Sequence, residues 1–203
     1  MTVGIAKKRI PRQTRLRRSE GDTMDLIQEA RRDRDAFAQL YLAYYDDVFN
    51  YCNHRLFDHY AAEDVTSTVF NKVMVNLNAF KGGNFRNWLL RIATYAVNDY
   101  LRDARRRAEL VQKAVIHTRA ESIFVIDYDE ELLEKKALMK EALLSLKPKY
   151  QTVITLRCFE NKEPIEIAAI LGTNPNTVRS WLSRATAKLR KRLNGTMDNR
   201  GFK

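Results

Sequence analysis

Thr177, Arg179, Ser180, Ser183, Arg184 and Lys188 are short hydroxyls and long cations recurring at steps of three and four, with Asn176 just ahead of them. On a helix that spacing gathers them on one face. Such groups hydrogen-bond base edges and phosphate oxygens, so the chemistry they offer is recognition of a polyanion. A second set lies upstream, where Arg91, Asn98, Arg102, Arg105, Arg106 and Arg107 alternate with Trp88, Tyr95 and Tyr100. Cations that follow a phosphate backbone, with aromatics and amides in reach, suit opened or single-stranded DNA. The plainer reading is a basic helix whose aromatics are buried, and for Trp88 taken alone that reading is the better one.

Covalent chemistry has less support. Tyrosines and arginines are plentiful, as in a recombinase with a tyrosine nucleophile, yet no histidine-containing constellation gathers around one tyrosine. No carboxylate cluster has metal-ligand spacing, and His54 and His59 lack a third ligand nearby. The residues therefore predict no catalytic group, no metal and no cofactor.

The elements that must position these side chains can be read from the apolar spacing. Ile165, Ile167, Ala168 and Leu171 make a short amphipathic helix closed by Gly172. Residues 173–176 form a turn in which Asn174 or Asn176 caps the next helix. That helix buries Val178, Leu182, Ala185, Leu189 and Leu193. Two helices joined by a short turn, the second polar and basic outward, have the sequence form of a helix-turn-helix. Its second helix would enter the major groove. The basic-aromatic set falls on a helix predicted over 85–107, with Phe85, Leu89, Ile92, Ala96 and Tyr100 on the core side.

The rest of the chain sorts around these two helices. Its 203 residues carry a net charge of +11, and 45% are hydrophobic. That balance allows real cores and suits a polyanionic partner. Residues 1–22 form a basic tail, which either attracts phosphate or merely solubilises. Residues 23–107 hold helical patterns over 24–30, 37–56 and 61–80 before the basic-aromatic helix. Residues 108–130 lose periodicity and turn acidic, as a linker. Residues 131–193 predict four helices ending in the helix-turn-helix, and 194–203 a tail. Glu63 and Asp64 are placed in the first turn of the third helix, where negative charge suits the dipole. Cys52 and Cys158 lie in apolar helical patterns and are expected as buried thiols of a reducing compartment. No apolar run approaches the ~18 residues a membrane span needs, so a cytoplasmic protein without membrane insertion is expected. The fold class is all-α: two small helical domains on a flexible linker.

Taken together, the two halves resemble the extracytoplasmic-function sigma factors of bacterial RNA polymerase, over about residues 25–193. DAFAQLYLAYYDDVFNYCNHRL followed by AAEDVTSTVF is similar to the helices of the sigma-2 domain that dock on the polymerase clamp. FRNWLLRIATYAVNDYLRDARRR is similar to that domain's promoter-melting helix, and LLSLKPKYQTVITLRCFENKEPIEIAAILGTNPNTVRSWLSRATAKLRKRL to the sigma-4 domain.

The resemblance implies a sigma factor that binds core RNA polymerase at its clamp and flap and directs initiation at promoter DNA. Glu63, Asp64 and Phe70 would contribute to the clamp-docking surface, Phe70 from the buried face it shares by spacing with Val65, Val69, Val73 and Leu77, with Ser67 where the family usually has Gln. Lys81 and Asn84 would border the pocket for a flipped base of the minus-ten element. Arg91, Tyr95, Asn98, Asp99, Arg102 and Arg105 would lie along the unpaired strand. Asn176, Thr177, Arg179, Ser180, Ser183, Arg184 and Lys188 would read or position the minus-thirty-five element. Thr94 and Tyr95 stand where the family usually has Arg-Asn, so Tyr95 either stacks on a base or replaces a packing contact. Trp181 stands where Arg is common, and either touches a thymine methyl or covers the core edge. Family members are often held by an anti-sigma partner, which no residue of this chain identifies. The alternative is a dimeric helix-turn-helix regulator that acts without polymerase.

Overall fold

The computed structural model describes residues 20–114 and 130–200, with side chains over 21–108 and 137–194. Eight α-helices and no strands occur among the described residues: α1 (Glu20–Ala30), α2 (Arg34–Leu56), α3 (His59–Asn76), α4 (Phe85–Ala114), α5 (Glu130–Leu144), α6 (Pro148–Cys158), α7 (Pro164–Leu171) and α8 (Pro175–Arg200). The expected basic tail lies outside the described residues except for 20–22, which open α1. Of the expected linker, 108–114 instead prolong α4, residue 130 begins α5, and 115–129 lie outside. Residues 194–200 of the expected C-terminal tail continue α8.

Local chemistry sets the helix ends. Asp33 caps α2 by accepting from the backbone N–H groups of Asp35 and Ala36. Phe57 ends the same helix in the left-handed region, φ 53°, and donates its N–H to the Asn53 carbonyl. Asp58 then caps α3 through the Ala61 N–H at 2.9 Å. The helix therefore starts at His59, and Glu63 and Asp64 fall beyond its first turn; Asp58 takes the capping role expected of them. Between α3 and α4 the chain passes a single 3₁₀ turn, Leu77–Ala79, and a loop with Gly82 at φ 123° and Gly83 at φ 88°. Those angles favour glycine. Arg31 closes over this connection by donating to the Phe80 carbonyl at 2.6 Å.

One apolar core holds both halves. Ile27, Leu40, Tyr51, Val69, Leu89 and Val97 from α1–α4 belong to the same buried cluster as Leu156, Ile167, Ile170 and Val178 from α6–α8. A smaller cluster of Leu143, Leu146, Tyr150, Ile154 and Ala185 fills the space between α5, α6 and α8. Trp181 and Leu182 border both clusters. The first core thus runs across the boundary between the halves. Cys52 is buried in it, and burial pushes its thiol up to about 12. Cys158, expected to be buried, is exposed at the end of α6. No described helix is long and apolar enough to cross a membrane.

Candidate nucleic-acid interface

The recognition face is built from α7, its turn and α8. Glu163 and Glu166 form a capping box at the start of α7: the Glu166 carboxylate accepts from the Glu163 N–H at 3.0 Å, and Glu163 accepts in return from the N3 backbone. Burial alone would push the Glu166 carboxyl up. The Glu163 N–H, the Lys162 ammonium and the Asn87 amide outweigh it and hold the group below its ordinary value. Gly172 ends α7 at φ 63°. Asn174, one of the two expected caps, accepts from the Asn176 N–H at 2.8 Å and its carbonyl accepts from the Val178 N–H.

The period of α8 then separates two faces. Val178 and Ala185 are fully buried, with Leu182, Leu189 and Leu193 partly so. Asn176, Arg179, Ser180, Ser183, Arg184 and Lys188 are exposed, and Thr177 is half-buried at their edge. The Arg179 guanidinium donates to the Asn176 side-chain oxygen at 2.7 Å, so these two act as a unit. Arg184, Lys188 and Arg190 have no acidic partner among the described residues, whereas Arg192 is paired with Glu141 at 2.8 Å. Trp181 covers the core edge, with the Lys149 ammonium 5.3 Å from its ring centre. Of the two roles open to it, packing is the one it has here.

The residues expected along an unpaired strand are placed on α4 and the loop before it, but they are not equally available. Lys81, Arg91, Tyr95, Arg102 and Arg105 are exposed. Asn84 is exposed as well, yet its side chain caps α4 by accepting from the Asn87 N–H at 2.9 Å. Asp99 is held by Arg102 at 2.8 Å and by Lys72 at 3.6 Å. Asn98 is half-buried, and its oxygen accepts from Arg55 at 3.0 Å. Thr94 is in the core, hydrogen-bonded to the Tyr51 hydroxyl at 2.8 Å and to the Leu90 carbonyl. Tyr95 points outward and makes no core contact.

Sequence reasoning missed the wall opposite Tyr95. Lys72 and Asn76 of α3 face Trp88, Arg91, Ile92 and Tyr95 across a cleft of about 330 Å³. Trp88 is half-buried there, 5.4 Å from the Phe80 ring and 5.5 Å from the Phe85 ring. The signal for Lys72 and Asn76 was their i, i+4 spacing on α3, but only the packing of α3 on α4 shows what they face.

On the far side of α3, Glu63, Asp64 and Ser67 lie on a solvent-facing strip that also carries Tyr60 and Met74, 60% and 57% exposed. His59 lies 3.3 Å from Glu63. Apolar side chains exposed among acids mark a surface for a protein partner better than for DNA. Phe70 is not on that surface: it is 4% exposed and packs on Tyr41 with ring centres 4.6 Å apart. Its large apolar ring is worth more under the helix than outside it, so the expectation of direct docking by Phe70 is corrected to a core role beneath the strip.

Comparison with known proteins matches residues 40–107 to sigma-70 region 2 and residues 136–189 to sigma-70 region 4. The chain is 32% identical to the RNA polymerase sigma factor YlaC of Bacillus subtilis, over 79% of this chain and 93% of that one. It is 31% identical to the ECF RNA polymerase sigma factor SigW of Bacillus subtilis, over 79% and 90%. With the ECF RNA polymerase sigma factor BldN of Streptomyces coelicolor it shares 30% identity over 84% of this chain, which spans 65% of that relative. Its fold is similar to that of the sigma factor RpoE in complex with the anti-sigma factor NepR from Bartonella quintana, with a TM-score of 0.60 and 24% identity over 78% of this chain and 96% of the other. It is similar too to CnrH in complex with the cytosolic domain of CnrY, with a TM-score of 0.63 and 21% identity over 84% and 96%. The chain, with both regions in order on its two helical halves, belongs to the extracytoplasmic-function group of the sigma-70 family of RNA polymerase sigma factors.

Proposed function

We propose that this chain binds core RNA polymerase in the cytoplasm and directs it to promoters of two elements. The strip of Glu63, Asp64 and Ser67 docks on the polymerase. The exposed face of α8 lies in the major groove of the minus-thirty-five element, with Arg179 and Ser180 toward base edges and Arg184, Lys188 and Arg190 on phosphates. The minus-ten strand runs along α4, and a base taken out of the stack enters a pocket bordered by Lys81 and Asn84 in the loop before that helix. Polymerase supplies the phosphoryl-transfer chemistry, and the chain contributes no catalytic residue. An anti-sigma protein, as in the RpoE complex, would compete for these surfaces.

The observation that carries this reading is the presence, in one chain of the family, of a polar, basic face on α8, where Arg184, Lys188 and Arg190 have no acidic partner among the described residues, and of a second basic helix beside an aromatic cleft. Two weakly selective modules on one chain gain from effective concentration, which makes both elements necessary. Run-off transcription with core polymerase on a genomic fragment library tests it. New start sites that depend on the added chain are expected. DNA binding without polymerase association, on palindromic sites, would replace this reading with that of a dimeric regulator.

A further inference from the structure

Lys147 and Lys149 carry charge of the wrong sign for where they stand. One is the N-cap of α6 and the other lies in its first turn, and no acid accompanies them there. The positive end of a helix dipole repels cations, so both residues weaken the helix they open. Lys149 is exposed and has no acidic partner among the described residues. A local rule broken without a local gain points to function.

Two rings hold Lys149 in place. Its ammonium lies 5.3 Å from the ring centre of Trp181 and 5.5 Å from that of Tyr150, both within the range of cation–π attraction. Tyr150 is buried, and Trp181 is half-buried where α6 packs on α8. Trp181 comes four residues after Thr177 and three before Arg184, so on the surface of α8 it adjoins both. The rings therefore bring a cation of α6 to the flank of the α8 face.

From this contact we infer that Lys149 binds a phosphate of the upstream DNA element and that Trp181 is its positioning residue. The inference deepens the function proposed above and rests on α8 lying in the major groove. Its geometric ground is width. The groove is about 12 Å wide, and a helix with its side chains is about 10–12 Å across, so a seated α8 has a phosphate strand along each flank. In a helix-turn-helix the first helix, here α7, crosses the backbone. The helix α6 packs on α8 as well, and Lys149 is the cation it presents beside Trp181. Arg184 and Lys188 follow Trp181 by three and seven residues, on the same side of α8. One flank thus carries two cations of α8 and one of α6. A carboxylate partner would cancel the Lys149 charge; a ring orients the ammonium and leaves its charge to act on phosphate.

The test probe is a duplex selected from a random-sequence pool by the native full chain, so the measurement needs no polymerase. Affinity is read by fluorescence anisotropy from about 50 to 200 mM salt. Lys149→Gln should lower the slope of log Kobs against log salt by about 0.9, the value for one phosphate, or about eightfold in affinity at 0.1 M relative to 1 M. The loss should fall on all duplexes alike, and Lys149→Arg should keep the slope. Lys140→Gln makes the same charge change on α5, where the ammonium reaches the Phe57 carbonyl at 3.4 Å, and should keep the slope as well. Trp181→Leu retains an apolar group at the core edge without the ring. It should weaken binding about two- to fivefold in the native background and not at all in Lys149→Gln, while Trp181→Phe keeps most of the affinity. Circular dichroism establishes that each variant is folded; should Trp181→Leu fail to fold, Trp181→Met takes its place. An unchanged slope in Lys149→Gln, or an equal drop in Lys140→Gln, overturns the phosphate contact. A Trp181→Leu loss of the same size in both backgrounds overturns the positioning role. A native chain that selects no duplex overturns the contact together with the reading of α8. A chain that binds duplex but leaves the start sites of core polymerase unchanged would sink the proposed function alone, and the slopes would still decide Lys149.

Discussion

Arg179 illustrates how much one side chain on α8 is asked to do. Its guanidinium is exposed near the start of the helix and is oriented by the Asn176 oxygen at 2.7 Å. A bidentate contact to a base is worth about 1–3 kcal/mol of discrimination. Arg179→Ala should therefore relax preference at one position of the upstream element by about that amount, read by competition among duplexes substituted one base pair at a time. An equal loss on every duplex would mean that it holds phosphate. Most of this face was legible because short hydroxyls and cations fall at helical spacing against a clear apolar stripe. What failed at this scale was availability. Asn84, Asn98 and Asp99 have the right types in the right places, but each is engaged by a cap, an arginine or an ion pair. Partners from other elements are invisible in a linear pattern. Phe70 falls on the inner face of α3 by spacing and is buried there against the Tyr41 ring; it is the docking role implied by the resemblance that its burial does not fit.

Helix ends follow from single residues, and they explain where the element boundaries moved. Asp58 resembles a break in the apolar pattern, but it is the cap that starts α3. The stretch past Arg107 loses its apolar period, yet α4 continues to Ala114. Residues 102, 103 and 105–108 of α4 are exposed, so no buried stripe is required of them, while Arg, Ala, Glu and Leu all favour helix. Periodicity reports burial, and a helix can outrun its burial. The capping box on α7 gives a measurable consequence. Glu166→Ala removes the acceptor for the Glu163 N–H and the partner of Lys162 at 3.0 Å. A loss of about 1 kcal/mol at neutral pH is expected, as for other N-terminal caps, from denaturant unfolding. The pH dependence has a definite sign. Because the folded carboxyl titrates below its unfolded value, its contribution is present above about pH 4.3 and disappears as pH falls through the lowered value. The difference between native and variant chains should shrink over that acid range; a difference constant down to pH 2 would mean that packing, not the carboxylate, was lost.

For the whole molecule, hydrophobic spacing identified nearly every inward face but could not say which face meets which, so two separate cores were expected where one spans both halves. Charge is the property that was legible at this scale, and it yields the quantity easiest to measure. A chain of net charge +11 binds DNA largely by releasing counterions, so log Kobs falls with log salt by about 0.9 for each phosphate neutralised. Lys188 and Arg190 are exposed on α8 without acidic partners among the described residues. If both hold phosphates, replacing the two with alanine should reduce the slope by about 1.8 and weaken all duplexes alike. Arg179→Ala, removing a base contact, should leave the slope nearly unchanged while altering sequence preference. The measurement is fluorescence anisotropy of the polymerase-free chain on a minus-thirty-five duplex from about 50 to 200 mM salt. An unchanged slope in the double variant would remove Lys188 and Arg190 from the phosphate contacts and shift that role toward Arg184 and the first turn of α8.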